Sequence, residues 1–176
     1  KLLEVFYNNR NDSYAKQKIK LLRENVTQYW CSMGEDNKIK LFLVDDDAVF
    51  LKSLEFQFLD HADFDIETFP TGELCLANIS KKPDVVILDF HLNGIDKAAI
   101  NGLQTLDEIK KIDANIPVII LSSQDKIEVA VQCIHHDAFD YVVKSETAFV
   151  RLQKIISSIF ELNKMKKELN WYMDRM

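Results

Sequence analysis

Val85-Val86-Ile87-Leu88-Asp89 is the stretch of this 176-residue chain that decides its fold. Four consecutive apolar residues are typical of a short strand buried on both faces, and the aspartate ends the run with a carboxylate. A second apolar run, Ile39–Val44, is followed by Asp45, Asp46 and Asp47. Two neighbouring parallel strands that both end in aspartate bring like charges together, which is unfavourable unless a cation compensates them. The sequence therefore predicts an acidic, cation-holding cleft centred on Asp89.

The composition indicates a globular chain with one core. Hydrophobic residues make up 47% and charged residues 28%, and no apolar run approaches the ~18 residues of a membrane span. Cys31, Cys75 and Cys133 are too far apart for a zinc motif or a disulfide framework, which favours a reducing, cytoplasmic location. The net charge is −6, and residues 34–176 carry the acidic excess. This acidity argues against direct nucleic-acid binding by that part of the chain.

From Ile39 onward, short apolar runs alternate with helical patterns, which predicts βαβ units and a parallel sheet. The predicted strands β1 to β5 cover residues 39–44, 64–69, 84–88, 117–121 and 139–143. The predicted helices α1 to α5 cover residues 47–60, 72–80, 102–112, 125–136 and 146 onward. We therefore predict an α/β fold with a doubly wound five-stranded parallel sheet, whose site lies at the carboxyl ends of the strands.

The chain divides into three predicted parts: a helical extension or junction over 1–36, a main domain over 37–160 and a helical tail over 161–176. In the extension, apolar residues recur at helical spacing between Ile19 and Tyr29. At the starts of the last two helices, Asp125 with Glu128 is a predicted cap of α4, and Ser145 is a predicted cap of α5.

The last helix is predicted to be elongated, because no glycine or proline occurs after Glu146. Its 4-3-4-3 spacing favours a dimer seam or a signalling helix, while an ordinary last helix with a folded-back tail is an equally open alternative. The residues at this spacing are Ile155, Ile159, Leu162, Lys166, Leu169, Met173 and Met176.

Five polar residues fall at or just past the carboxyl end of a predicted strand: Asp45, Asp46, Asp89, Ser122 and Lys144. Each residue type also has a purely structural interpretation. Aspartates can cap a helix, which is expected for Asp47 alone. A lysine at a strand end is often solvated, a serine there is commonly a turn residue, and an aromatic within a strand, such as Tyr141, usually belongs to the core.

Four motifs, in this order and at the spacing of five strands, resemble the receiver domain of two-component response regulators over about residues 39–160. The motifs are Phe42-Leu43-Val44-Asp45-Asp46-Asp47, Val86-Ile87-Leu88-Asp89, Pro117-Val118-Ile119-Ile120-Leu121-Ser122-Ser123 and Asp140-Tyr141-Val142-Val143-Lys144. The resemblance implies that residues 37–160 form a receiver with a flavodoxin-like (βα)5 sandwich. It also implies that Asp89 accepts a phosphoryl group from a histidine kinase or a small phosphodonor.

A carboxylate attacks an anionic phosphoryl group poorly unless positive charge holds the phosphoryl oxygens. Mg²⁺, or Mn²⁺, suits this task because it prefers hard oxygen ligands and keeps several waters. The resemblance implies that Asp46 and Asp89 are direct metal ligands, that Asp45 acts through water, and that His91 contributes its backbone carbonyl. The His91 imidazole is then not a ligand.

The resemblance implies roles for further residues around this centre. Lys144 would pair with the phosphoryl group, and Ser122 would hydrogen-bond one of its oxygens. Tyr141 and Ser122 would form the conformational switch, in which the aromatic ring turns inward as the hydroxyl moves towards the phosphate. His91 and Gln124 would control access of the hydrolytic water and thereby the lifetime of the phosphoryl group.

Two departures from the pattern of the family stand out. The loop Phe90–Asn101 is several residues longer than usual, with Asn93 in place of the usual proline and the expected glycine delayed to Gly102. Ser145 follows Lys144 where the family normally has a proline, often after a cis peptide bond. The predicted differences therefore lie in the β3–α3 loop and the β5–α5 turn.

The predicted function is a signalling module rather than an enzyme with a separate substrate. Phosphorylation of Asp89 would shift the α4-β5-α5 face between two conformations. That shift would control an unidentified output partner or a homodimer formed through this face or the C-terminal helix. The input partner would be a sensor histidine kinase or a phosphotransfer protein.

Two alternatives of other classes stay open at this point. One is a receiver-like scaffold that binds proteins without phosphate, and the other is a phosphohydrolase with Asp89 as nucleophile. A phosphohydrolase of the haloacid-dehalogenase type requires Asp-x-Asp, and Asp89-Phe90-His91 lacks the second aspartate. A flavin-binding protein is disfavoured because no hydroxyl-rich phosphate loop follows β1.

Overall fold

The computed structural model describes residues 38–59, 64–92 and 99–173. The predicted helix between Ile19 and Tyr29, the extension over 1–36 and Cys31 lie outside the described residues. Within the described residues, no helix is both long enough and apolar enough to cross a membrane.

Five parallel strands form one sheet in the order β2-β1-β3-β4-β5. The strands are β1 Ile39–Val44, β2 Phe64–Phe69, β3 Val85–Asp89, β4 Val118–Ser122 and β5 Asp140–Val143. The helices are α1 Ala48–Leu59, α2 Gly72–Asn78, α3 Gly102–Ile112, α4 Ile127–His135 and α5 Ala148–Met173, and a 3₁₀ turn, Ile79–Lys81, follows α2. The predicted doubly wound parallel sheet is confirmed, and β1, β2 and α3 have the predicted bounds.

The central strands β3 and β4 are apolar up to their last residues, Asp89 and Ser122, because helices cover the sheet on both sides. Every residue of β3 and β4 is buried, as expected for parallel strands covered on both faces. On one face, a buried cluster joins the strands to α2 through Cys75, to α3 through Leu106 and to α4 through Cys133. On the other face, the Phe58 ring of α1 packs edge-on against Phe149 of α5, with 4.9 Å between ring centroids.

Two predicted helix caps are wrong. The N-cap of α4 is Lys126, which makes no side-chain cap, rather than Asp125. The Gln124 backbone is bonded to Ser122 Oγ and to the Tyr141 hydroxyl, and Lys126 is extended, so the first helical residue is Ile127. Similarly, α5 begins at Ala148, so Ser145 lies in the preceding turn, where its carbonyl accepts from the Ala148 N–H at 3.0 Å.

The long last helix divides into a packed part and a projecting part. Ile155 and Ile159 are 8% and 2% exposed and belong to the core, whereas Leu162, Met165 and Met173 are 47%, 62% and 61% exposed. The predicted 4-3-4-3 series therefore begins as core packing and continues as an exposed helix face. The side chains at positions 166 and 169, and residue 176, lie outside the described part.

Candidate functional site

Three strand-end carboxylates meet at the carboxyl edge of the sheet. The register pairs Val44 with Leu88, so Asp45, which follows Val44, and Asp89 come side by side. Oxygens of Asp45, Asp46 and Asp89 all lie within 4.8 Å of one another. Asp45 and Asp89 are buried and Asp46 is half-buried. The structure thus brings together the acidic cluster that the two apolar runs predict.

Lys144 supplies the positive charge that this cluster needs. Its Nζ lies 2.6 Å from Asp45 Oδ2 and 3.1 Å from Asp89 Oδ1. Burial opposes the charged ammonium, but the close contacts with the two negatively charged carboxylates outweigh this effect and raise the pKa of Lys144. The Lys144 backbone N–H donates to the Ser122 carbonyl at 2.7 Å, which fixes the lysine at the end of β5.

The two carboxylates remain incompletely satisfied despite this lysine. Asp45 Oδ2 and Asp89 Oδ1 are buried and contact the ammonium without a well-directed hydrogen bond. Burial is the largest effect on both groups and raises the pKa of Asp45 and of Asp89. A backbone N–H of His91 bonded to Asp89 acts in the opposite direction. Such buried, under-coordinated oxygens are suited to a hard cation.

The third aspartate of the motif has a different task, as its structural interpretation predicts. Asp47 Oδ1 accepts from the backbone N–H of Val49 at 2.9 Å and of Phe50 at 3.1 Å, which caps the first turn of α1. The Asp47 N–H in turn donates to Asp45 Oδ1 at 3.0 Å. The helix cap therefore orients the adjacent carboxylate of the cluster.

A relay of hydrogen bonds runs through Gln124 on the other side of the site. Its backbone N–H donates to Ser122 Oγ at 3.1 Å, and its carbonyl accepts from the Tyr141 hydroxyl at 2.6 Å. Its side-chain Nε2 lies 3.0 Å from Nε2 of His91. Ser122 and Tyr141 are buried and His91 is exposed. The predicted switch and lifetime residues are therefore physically connected through Gln124.

The long β3–α3 loop is closed at its base. The Gly102 N–H donates to the Phe90 carbonyl at 3.1 Å, and a Cβ on Gly102 would lie only 2.1 Å from the Asp89 carbonyl oxygen. The Ile100 N–H donates to the Glu73 carboxylate at 2.8 Å and lowers the pKa of Glu73. Because both ends are held, the extra residues leave the end of β3 in place.

Sequence reasoning missed two contributors to this site. Gly102 was noticed for its spacing, but its close approach to the backbone of Asp89 is a tertiary contact. Phe50 was not singled out, although its ring centroid lies 4.5 Å from Lys144 Nζ. Its position in the first turn after the aspartate triplet is the one signal that places it near the strand ends. At the β5–α5 turn, no described peptide bond is cis, including that between Lys144 and Ser145.

Comparison with known proteins identifies the family. The response regulator receiver domain family matches residues 41–157. The chain belongs to this family. Its resemblance to receivers is thereby confirmed, and so are the flavodoxin-like architecture and a role in two-component signalling. A phosphohydrolase is not favoured.

Individual relatives agree with this assignment. The chain is 33% identical over 138 residues to a protein-glutamate methylesterase/protein-glutamine glutaminase of Clostridium acetobutylicum. That match covers 75% of this chain and 35% of the relative, so the chain spans about a third of its length. The receiver domain of NtrX from Brucella abortus is 30% identical with a TM-score of 0.61, and the match covers 69% of this chain and 98% of that domain.

A further solved structure is the BeF3-activated DrrB receiver domain. It is 27% identical to this chain with a TM-score of 0.57, and the match covers 68% of this chain and 98% of that one.

Proposed function

We propose that Asp89 is the phosphoacceptor of this receiver and that Mg²⁺, or Mn²⁺, is held by Asp45, Asp46 and Asp89. The observation that carries this proposal is the gathering of three carboxylates within 4.8 Å, two of them buried, at the ends of β1 and β3. The donor set consists only of oxygens, which favours these hard cations. Asp46, Asp89 and the backbone carbonyl of His91 are the proposed direct ligands, and Asp45 would act through a water molecule.

The bound cation would neutralise charge on the phosphoryl oxygens, and residues of the chain would position and orient the attacking carboxylate. Asp89 is the last residue of β3 and is buried, so the strand fixes the position of its backbone relative to an incoming phosphodonor. The His91 N–H bond to its carboxylate limits the orientations of the two oxygens. One oxygen of Asp89 is thus preorganised to attack the phosphorus as the bond to the leaving group of the phosphodonor breaks.

Lys144 and Ser122 are the proposed partners of the transferred phosphoryl group. A cation held by the aspartates would compensate their charge, and Lys144, which contacts Asp45 and Asp89, would then pair with a phosphoryl oxygen. Ser122 Oγ accepts from the Gln124 N–H, so its own hydroxyl proton remains to donate. Both residues lie at strand ends bordering Asp89, which supports this division of roles.

The proposed output is a change of the α4-β5-α5 face. Movement of Ser122 towards the phosphate would pull on the Gln124 backbone, which also holds the Tyr141 hydroxyl. On α4, Ile127, Val131 and Ile134 are 76%, 49% and 49% exposed at i, i+4 and i+7 spacing, which suits a protein partner or a second copy. The projecting part of α5 is an alternative seam for a homodimer.

We propose a sensor histidine kinase or a phosphotransfer protein as the input partner, and a cytoplasmic location. Buried, free Cys75 and Cys133 agree with a reducing compartment. The lifetime of the phosphoryl group would be tuned by the His91 and Gln124 side chains, which touch above the site. In this reading the receiver turns over no separate substrate.

The test uses Mg²⁺ with acetyl phosphate, and separately with beryllofluoride, the group carried by the DrrB receiver. Mass spectrometry should show one added phosphoryl group on the wild type and none on Asp89→Asn. Asp125→Asn is the matched control, because Asp125 is exposed beyond the end of β4. It should react like the wild type.

Two results would contradict the proposal. One is an adduct that persists in Asp89→Asn, which would place the acceptor elsewhere. The other is a folded wild type that gives no adduct and no beryllofluoride-dependent change, which would favour the scaffold that signals without phosphate.

A further inference from the structure

Phe50 and Lys144 are brought together by the same segment that orients the acidic cluster. The Lys144 Nζ lies over the Phe50 ring at 4.5 Å from its centroid, within the range of a cation–π contact. The Phe50 backbone N–H is bound by Asp47, and the Asp47 N–H is bound to Asp45. These two hydrogen bonds therefore fix the backbone of Phe50 relative to Asp45, one of the two carboxylates that contact Lys144.

The ring differs from the other two contacts of the ammonium in one chemical respect. Asp45 and Asp89 are oxygen donors, so a divalent cation competes with Lys144 for both. An aromatic face is not a ligand for Mg²⁺, and its attraction for an ammonium does not depend on carboxylate oxygens. The contact to Phe50 is thus the one of these three that metal binding leaves intact.

We infer that Phe50 is a positioning residue that keeps the Lys144 ammonium in the pocket after a metal takes over the carboxylates. This inference rests on the proposed function of Asp89. Without the ring, the released lysine side chain samples rotamers that face the solvent. In a fraction of the molecules the ammonium is then outside the pocket when the phosphoryl group arrives. Phe50 acts through Lys144 and does not itself touch the reacting atoms.

The decisive variants separate the aromatic face from apolar volume. Phe50→Leu should lower the rate of Asp89 phosphorylation by acetyl phosphate at saturating Mg²⁺ by about three- to tenfold. Phe50→Tyr should restore that rate, because it keeps the ring. The Kd of Mg²⁺, measured by calorimetry without phosphodonor, should not weaken in either variant, whereas general damage to the site would weaken it.

Phe56→Leu is the matched control, since Phe56 lies on the same helix and is 70% exposed. It should react at the wild-type rate. Should Phe50→Leu not fold, as judged by circular dichroism, Phe50→Met replaces it with the same expectation. Equal rates for wild type and the folded Leu or Met variant would overturn the inference, and so would an equal loss in Phe50→Tyr.

A spectroscopic measurement tests the contact independently of phosphorylation. Protons on the Lys144 Cε should be shifted upfield by the ring current in the metal-free wild type, and the shift should persist when Mg²⁺ is added. It should disappear in Phe50→Leu and return in Phe50→Tyr. A shift lost on adding Mg²⁺ would overturn the inference, while a wild type that never forms the phosphoryl adduct would instead overturn the proposed function.

Discussion

The site has two halves that are built by different forces. The acidic half consists of Asp45, Asp46, Asp89 and Lys144, and the relay half of Ser122, Gln124, Tyr141 and His91. In the acidic half, buried charges oppose and compensate one another, so its free energy depends on which cation is present. In the relay half, side chains exchange hydrogen bonds with one another and with the Gln124 backbone. The comparison predicts that the acidic half, together with the His91 backbone carbonyl, responds directly to metal, whereas the side chains of the relay half do not.

Lys144→Met should break the acidic half most severely. Removing the ammonium leaves Asp45 and Asp89 buried without compensation, which should destabilise the metal-free protein by about 3 kcal/mol. Urea unfolding with and without Mg²⁺ measures this loss, and Mg²⁺ should recover much of it because it supplies the missing charge. Lys111→Met is the control, since Lys111 forms an exposed ion pair with Glu108 and should respond little. A loss unaffected by Mg²⁺ would show that the two halves do not differ in this way.

Gly102→Ala should displace the backbone that positions Asp89, without changing the charge of the acidic half. The new Cβ meets backbone atoms at the end of β3, 2.1 Å from the Asp89 carbonyl oxygen and 2.7 Å from Phe90 Cα, so the strand end must shift. We expect a loss of about 2 kcal/mol in the free energy of unfolding, together with weaker Mg²⁺ binding.

The matched control for this prediction is Gly72→Ala. The new Cβ would meet side-chain atoms of the buried Thr105 on α3 rather than backbone atoms at the end of β3, so it should lower the free energy of unfolding with only a small effect on Mg²⁺ binding. Weaker Mg²⁺ binding of equal size in both variants would argue that the loop base does not position Asp89.

Tyr141→Phe should give the smallest effect and should show no dependence on metal. It removes the hydroxyl that donates to the Gln124 carbonyl at 2.6 Å, and the net loss of one neutral hydrogen bond is about 1 kcal/mol. Urea unfolding should give the same loss with and without Mg²⁺, in contrast to Lys144→Met. A loss that changes with Mg²⁺ would mean that the relay is coupled to the acidic half before any phosphoryl group is present.

The two halves also differ in how far the sequence could predict them. The acidic half was predictable because buried parallel strands form unbroken apolar runs, and the residue that ends each run, Asp89 or the triplet from Asp45, must lie at the same sheet edge. The bounds of β1, β2 and α3 followed from the placement of apolar residues and of the turn residues between the elements. The burial of each of these elements determines the order of apolar and polar residues within its own short segment, and that order is visible in the sequence.

The relay half and its surroundings were only partly predictable. The resemblance to receivers supplied the residue types. The two hydrogen bonds of the Gln124 backbone, to Ser122 and to Tyr141, depend instead on the distance between the ends of β4 and β5. Asp125 does not cap α4 because that helix begins one residue further along the chain. Similarly, the approach of Gly102 to Asp89 and of Phe50 to Lys144 joins residues far apart in sequence, and no spacing rule predicts such contacts.

The projecting part of α5 would enlarge any tilt that occurs at the base of the helix. After Ile159 the helix continues to Met173, and at 1.5 Å per residue this corresponds to a rigid arm of roughly 20 Å. The base of the helix is tied to β5 by Arg151 and Asp140, 3.4 Å apart. A tilt of about 10° at that base would move the far end by roughly 4 Å, given the same helix rise. The base of α5 contacts β5, the strand that contains Tyr141 and is followed by Lys144. A conformational change at these two residues would therefore be transmitted to the far end of the helix.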